Sequence, residues 1–199
     1  MVQLTMNKTL ADIAIVKAGH PFRGKIPEDT AGNAYAVQIR DIDNDGIIQW
    51  HQLIRTNITG RKTPDWLQKG DVLFAARGGR NLAGCVGEID KPTVCAPHYF
   101  LIQVTDNSVL PEFLAWQLNQ DSAQRYFANS AEGSAQTSIR RAVLEATPLV
   151  MLTLEKQRAI VGFNNKVKQE KQALSALIDN RAKQMQGIAK QLLDSADQG

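Results

Sequence analysis

The chain has 199 residues, 43 % of them hydrophobic and 22 % charged, which is enough for one packed core plus an appendage. No stretch approaches 18 apolar residues, so no membrane-spanning helix is expected, and Met1 to Lys8 lacks the apolar run of a secretory signal. A net charge of +3 excludes a uniformly basic protein, so any nucleic-acid surface must be a local patch.

Residues 1–109 read mainly as β-structure and turns. Tyr35 to Ile42 is β-branched with partial alternation and runs into the turn signal Asn44-Asp45-Gly46. Val72 to Ala76 has the pattern of a short buried strand. Gly84 to Ile89 and Tyr99 to Val104 are further strands, punctuated by Gly70-Asp71 and Gly78-Gly79. Pro111 opens a helix predicted from Glu112 to about Ala128, with Phe113, Trp116, Leu118 and Phe127 on its core face. Ser130 to Ser138 is a polar loop. A short helix follows from about Ile139 to Glu145, and Leu149 to Leu154 is an apolar connector.

From Glu155 to Leu193 the chain contains no proline and no turn cluster, and its apolar residues repeat in sevens. Ile160, Val167, Leu174 and Ile188 share one heptad position. Phe163 and Leu177 sit at the next seam position, with Ile178, Met185 and Leu192 beside them. Such a stripe hides its seam against another helix. At 1.5 Å per residue the rod would be about 58 Å long. The expected organisation is a globular domain over 1–150 and a helical region over 151–199.

Catalytic and metal chemistry find little support. Asp41-Ile42-Asp43-Asn44-Asp45-Gly46 matches the first half of a calcium loop, but Gln52 stands where the final bidentate carboxylate belongs. An acidic β-turn is the simpler reading. Pro64-Asp65 could begin a nuclease motif, yet no acid-x-lysine follows anywhere in the chain. No glycine fingerprint for a nucleotide cofactor is present, and Arg77-Gly78-Gly79-Arg80 lacks the ending of a phosphate loop. His20, His51 and His98 are scattered, and Cys85 and Cys95 form no metal-ligand set. Free thiols and a cytoplasmic location are expected, with no cofactor and no metal.

Two segments carry the chemistry of nucleic-acid contact. In Arg77-Gly78-Gly79-Arg80-Asn81, glycines admit a phosphate close to the backbone. Its arginines can pair with guanine or phosphate, and its asparagine with adenine. The alternative is a hairpin loop with solvated arginines. In Gly133 to Arg141, the residues Gln136 and Thr137 precede a helix start, with Arg140 and Arg141 adding charge. A capped helix start explains the same residues and is compatible with contact.

These pieces stand in an order that resembles the specificity subunit of type I restriction-modification systems. The resemblance covers nearly the whole chain. Leu10-Ala11-Asp12-Ile13 precedes Gly19 and Pro21-Phe22-Arg23. Lys69-Gly70-Asp71-Val72-Leu73-Phe74-Ala75, followed by Arg77-Gly78, resembles that family's strand and glycine turn. Gly133 to Ile139 with Leu144 and Pro148 resembles the end of its target-recognition domain, and Glu155 to Val161 the start of its conserved helix. The family's usual Pro-x-Pro before that helix is replaced here by Pro148-Leu149-Val150-Met151. Typical members carry two recognition domains and two long helices, so this chain resembles a half-subunit.

The resemblance implies an α+β fold. A recognition domain with a twisted mixed β-sheet and helices would precede one long C-terminal helix, paired as an antiparallel coiled coil with a second copy. It implies no chemistry in the chain, which would choose the sequence of double-stranded DNA for separate modification methyltransferase and restriction subunits. Arg77, Arg80, Asn81, Gln136, Thr137 and Arg140 are the expected contacts, with Arg23 and Arg40 behind them. Ile160, Phe163, Val167, Leu174, Leu177, Ile178, Met185, Ile188 and Leu192 would form the dimer seam. A twofold dimer would read two inverted half-sites. At about 3.4 Å per base pair the rod caps their separation at roughly 17 base pairs. A coiled-coil adaptor that binds protein alone is the competing expectation, and a nuclease a more distant one.

Overall fold

The strand at Val72 is buried on both sides, and the fold is arranged around it. In the computed structural model, which describes residues 5–59, 63–78, 81–130 and 138–196, four strands form an antiparallel sheet. Its order is β2 (Ala14–Ala18), β8 (Tyr99–Val104), β5 (Val72–Ala75) and β6 (Ala83–Cys85). Alternation along β5 sends Val72 and Phe74 into one core and Leu73 and Ala75 into another. Along β8, Ile102 joins the first core, while Tyr99 and Leu101 join the second.

Helices cover the first face. α1 (Pro111–Leu118), α2 (Asp121–Ser130) and α3 (Arg141–Glu145) contribute Leu114, Leu118, Ala123, Phe127 and Leu144. The Phe74 and Phe127 rings meet at 4.9 Å between centroids. A buried side chain of this size is worth about 2–3 kcal/mol. The second face packs against a three-stranded sheet of β4 (Ile54–Thr56), β3 (Ala34–Val37) and β7 (Thr93–Cys95), in which β3 and β7 run parallel. That sheet's outer face has its own cluster of Ile26, Ala36, Ile54, Val94 and Ala96, edged by Phe22, Ile58 and Trp66. A two-stranded pairing of β1 (Thr5–Thr9) with β9 (Pro148–Met151) closes the unit.

The α+β expectation holds, with strands in three sheets rather than one. The helix expected over Glu112 to Ala128 is broken at Asn119-Gln120 into α1 and α2. The break frees the Asn119 amide, whose Oδ1 accepts from the Ala83 N–H and whose Nδ2 donates to the Ala83 carbonyl, both at 2.8 Å. A side-chain amide thus does for β6 what a neighbouring strand would do. The apolar connector over Leu149 to Leu154 is a correction too. Its first part is the strand β9, held by the buried Gln117 amide, which accepts from Val150 N–H at 2.8 Å and donates to Val150 carbonyl at 3.0 Å. The strand expected over Tyr35 to Ile42 ends at Val37 and becomes a 3-10 turn over Ile39–Asp41. The strand expected over Gly84 to Ile89 is only Ala83–Cys85.

The chain divides into two compact units, Met1–Val161 and Gly162–Gly199. One helix, α4 (Leu154–Ala196, 43 residues), runs through the division. At 1.5 Å per residue it is about 65 Å long. In the first unit its opening turns are pinned by Gln157, which is fully buried. The Gln157 Oε1 accepts from Leu110 N–H at 2.8 Å, and its Nε2 donates to the Ser108 and Leu152 carbonyls at 2.8 Å. In the second unit the seam faces solvent: Phe163 is 71 % exposed, Leu174 61 %, Leu177 50 %, Ile178 68 %, Met185 65 % and Ile188 50 %. Ile160 and Val167 are half-buried, and the side chain of Leu192 lies outside the described set.

The acidic turn after β3 is a built hairpin. Asp43 Oδ1 accepts from the Asp45 and Ile47 N–H groups at 2.9 Å, its Oδ2 accepts from Gln49 Nε2 at 2.9 Å, and Ile42 bridges to Ile48. Gly46 completes it at φ 73°, close beneath the Ala83 carbonyl. Among the described residues no group of three His, Cys, Asp or Glu side chains is placed to hold a metal ion. Asp41 is buried. Its Oδ2 accepts from Gln38 N–H at 2.7 Å, while its Oδ1 has no hydrogen-bond partner. Burial pushes its carboxyl above the usual range, against smaller opposing effects of the Gln38 N–H and Arg40.

Two outcomes follow from these buried amides and carboxylates. Gln157→Ala leaves one N–H and two carbonyls without their partner, so the free energy of unfolding should drop by about 3 kcal/mol. A urea midpoint equal to that of the parent chain would refute the pinning role. The raised Asp41 pKa means that the folded state holds this proton more tightly. Its stabilising effect is complete below the ordinary aspartate pKa and is lost as pH rises through the raised value. Asp41→Asn should therefore gain stability over the parent increasingly from pH 3 to pH 7. A gap in melting temperature that stays constant over that range would show that Asp41 does not titrate in this way.

Candidate nucleic-acid interface

Arg77 leaves the end of β5 at a point where three chain segments meet. Ala76 is fixed on both backbone groups: its N–H donates to the His98 carbonyl at 2.9 Å, and its carbonyl accepts from the Ile139 N–H at 2.8 Å. Arg77 then forms an antiparallel bridge with Ser138. Ile139 is buried in the helical core, which anchors the segment leading into α3. Arg140 follows as the N-cap residue of α3 and is exposed, as is Arg77. Arg141 is held by Glu145, with Nε donating to Oε1 at 2.7 Å.

The third segment enters through Gly78. At φ 120° it takes a conformation that other residues avoid, and a Cβ added there would sit 3.7 Å from Ile39 Cδ1. Ile39 opens the 3-10 turn that carries Arg40, whose side chain is 70 % exposed. Arg40 Nε stands 3.8 Å from the buried Asp41 carboxylate. Beneath the turn, the Tyr99 hydroxyl donates to the Gln38 carbonyl at 3.1 Å. Burial, with Asp41 nearby, pushes the Tyr99 pKa upward and keeps the phenol a donor. Exposed Arg40, Arg77 and Arg140 thus lie on adjoining segments that are far apart in sequence.

Both contact loops read from the sequence therefore meet in space. Within them, Arg80, Gln136 and Thr137 lie outside the described residues. Asn81 is described and has a structural task. Its Nδ2 donates to the Ala75 carbonyl at 2.8 Å, and its own carbonyl accepts from Gln124 Nε2 at 2.9 Å, so it closes the loop onto β5 and α2. Arg23 is exposed in the turn after Phe22, whose ring edges His20 at 4.9 Å and packs on the outer cluster of the three-stranded sheet. Sequence reasoning ranks Arg40 low because nothing local joins residues 39–41 to residue 78. The glycine at 78, which needs positive φ, is the available signal.

The exposed guanidinium groups suit an acidic, extended ligand. Arginine offers a planar set of donors to phosphate oxygens and to the O6 and N7 edge of guanine.

No protein-family model matches the chain, and no curated protein matches its sequence. Solved structures do match. The S subunit of a type I restriction-modification system from M. genitalium superposes with a TM-score of 0.59 at 15 % identity, over 92 % of this chain and 44 % of that one. The HsdS subunit from Thermoanaerobacter tengcongensis superposes with a TM-score of 0.60 at 19 % identity, over 86 % of this chain and 44 % of that one. A chain from a structure on complex assembly and conformational transition of the type I R-M system gives 0.52 at 16 %, over 85 % of this chain and 39 % of that one. The chain spans less than half the length of these solved proteins, and along that span it has the fold of a type I restriction-modification specificity subunit.

Proposed function

We propose that this chain is a non-catalytic, sequence-specific DNA-reading component of a type I restriction-modification system, acting as a half-subunit. The observation that carries this reading is the specificity-subunit fold along 85 % or more of the chain. The adjoining of the segments that carry exposed Arg40, Arg77 and Arg140 adds a surface of the right chemistry. In this reading residues 1–150 lie against the major groove. Arg77, Arg80, Gln136, Thr137 and Arg140 contact bases or phosphates, Arg40 and Arg23 support them, and Asn81 braces the loop.

Residues 151–199 pair with the same region of a second copy through the exposed seam of α4, in antiparallel fashion. Two equivalent readers would then face an inverted bipartite target. Methyl transfer and cleavage belong to the modification and restriction subunits that this component recruits, and the complex works on DNA in the cytoplasm. No described helix is long and apolar enough to cross a membrane.

The direct test is selection from randomised duplex DNA by the chain together with its modification subunit. An enriched inverted repeat supports the reading. The absence of any sequence preference, with and without that subunit, would instead favour a coiled-coil adaptor that binds protein alone.

Arg77→Ala and Arg140→Ala should each weaken binding to the selected site. A base contact costs about 1–3 kcal/mol on loss. A phosphate contact lowers the slope of log K against log salt by about 0.9. Affinity and slope both unchanged would remove these loops from the interface. In the seam, Leu177→Glu with Ile178→Glu should turn a dimer into a monomer by sedimentation, because the two adjacent charges would face an apolar partner. An unaltered mass would contradict the seam assignment.

A further inference from the structure

The polar residues within the apolar stripe of α4 restrict how two copies of it can meet. Glu170 and Arg181 occupy seam positions in the same heptad frame as Phe163, Leu174, Leu177 and Ile188, and both are exposed. Arg181 Nη1 donates to Gln184 Oε1 at 3.0 Å within the helix, which leaves further donors of the same guanidinium for another acceptor. In an antiparallel pair each first-position residue faces a fourth-position residue of the other helix. The number of whole-heptad registers is therefore small, and each can be judged by what it sets face to face.

We propose that α4 pairs with a second copy of itself about a twofold axis passing between Ser175 and Ala176, with Glu170 of each protomer facing Arg181 of its partner. The inference rests on the dimer reading above and adds its register. In this register Leu174 faces Leu177 at the centre, and Phe163 faces Ile188 further out. Val167 meets Gln184 between them, and Ile178 lies beside the axis near its own twin. By symmetry the Glu170–Arg181 contact occurs twice, one on each side of the axis.

Neighbouring registers fail on the same residues. With the axis at Gln172, one heptad's slip in one direction, Glu170 faces Leu174 and Arg181 faces Phe163. With the axis at Asp179, Glu170 faces Ile188 and Arg181 faces Leu177. Either slip sets four charged side chains per dimer against apolar ones, and a charge without a partner is costly to desolvate. A parallel, in-register pair sets Glu170 on Glu170 and Arg181 on Arg181, and like charges repel. Charge complementarity therefore selects both orientation and register, the role best attested for polar seam residues.

The test uses the full-length chain in analytical ultracentrifugation. E170R sets an arginine against Arg181 of the other protomer, and R181E sets a glutamate against Glu170. Each should weaken self-association at least about tenfold, since two attractive contacts become repulsive. An equimolar mixture of the two variants should recover the dimer, because in the mixed dimer one contact sets native Glu170 against native Arg181 and the other sets the arginine introduced at position 170 against the glutamate introduced at position 181, both of opposite charge. Far-UV circular dichroism of each variant verifies that the helix is intact. The double variant E170R/R181E restores both opposite-charge contacts with their signs exchanged and should dimerise like the parent. A parent chain that dimerises while both single variants dimerise equally well overturns the register and leaves the dimer reading standing. A parent chain that stays monomeric at high concentration overturns the dimer reading and this inference with it.

A distance measurement gives an independent result. Nitroxides at K190C, in a chain carrying Cys85→Ser and Cys95→Ala, should lie about 44 Å apart along the helix direction at 1.5 Å per residue. A distribution displaced by about 10 Å marks a one-heptad slip and refutes the axis position. A distribution centred near the interhelical spacing of about 10 Å marks a parallel pair and refutes the orientation.

Discussion

Three side-chain amides hold the first unit together where its short strands run out. Gln117, Asn119 and Gln157 each accept from one backbone N–H and donate to at least one backbone carbonyl. A small unit with strands of three to six residues leaves many backbone groups at sheet edges. Closing them with more strands would lengthen the chain. An amide does the same work from within a helix or at its end, because its carbonyl and NH2 have the spacing of a peptide group. Asn119 closes β6, Gln117 holds β9, and Gln157 joins the first turns of α4 to the segment before α1. Leaving such groups unpaired in a buried setting costs about 1–3 kcal/mol each, which is large against a total stability of about 5–15 kcal/mol.

The arginine-bearing segments inherit their positions from this frame. Arg77 is where it is because both faces of β5 are packed and the strand cannot slide. Arg140 is where it is because Ile139 is buried directly before it. The Arg40 turn is set by the buried Asp41 carboxylate beneath it, which satisfies Gln38 N–H with one oxygen while the other, without a hydrogen-bond partner, stands 3.8 Å from Arg40 Nε. The proposed interface would have rigid roots and exposed tips. That suits reading a stiff double helix, since little is lost in ordering the base of each side chain.

Local pattern reveals the parts of this structure that local physics decides. Tyr99 to Val104 matches its strand residue for residue, and the heptad stripe matches α4 to within a few residues, because periodicity within one segment specifies both. The strands β1, β2, β4 and β7 leave no such mark, as they are short and owe their existence to partners elsewhere in the chain. β9 reads as a connector because its partner is β1, at the other end of the unit. Asn119 looks like an ordinary helix residue, since nothing nearby signals that Ala83 needs its amide. The same division runs through the candidate site. Each loop is visible as a cluster of glycine, arginine and small polar residues, but their meeting through Arg77 and Ser138 is not. Gln157 stands inside a recognisable motif, yet its role needs Leu110 and Ser108 to come into view.

Unlike the first unit, the second has no buried amides to fix it among its described residues, and its specificity must come from the seam. A purely apolar stripe of Leu, Ile, Phe and Met would stick well and discriminate poorly, for one heptad offers much the same grease as the next. Glu170 and Arg181 reduce the apolar area and therefore weaken any dimer. What they give in return is a difference between registers. In the proposed alignment their charges would meet, and in either neighbouring one they would be driven against hydrocarbon. If α4 sets the spacing of two equivalent readers, as proposed, it needs that difference more than it needs raw affinity. A slip of one heptad would move the twin ends by about 10 Å along the axis at 1.5 Å per residue. At about 3.4 Å per base pair that is roughly three base pairs, enough to carry the second reader off its half-site.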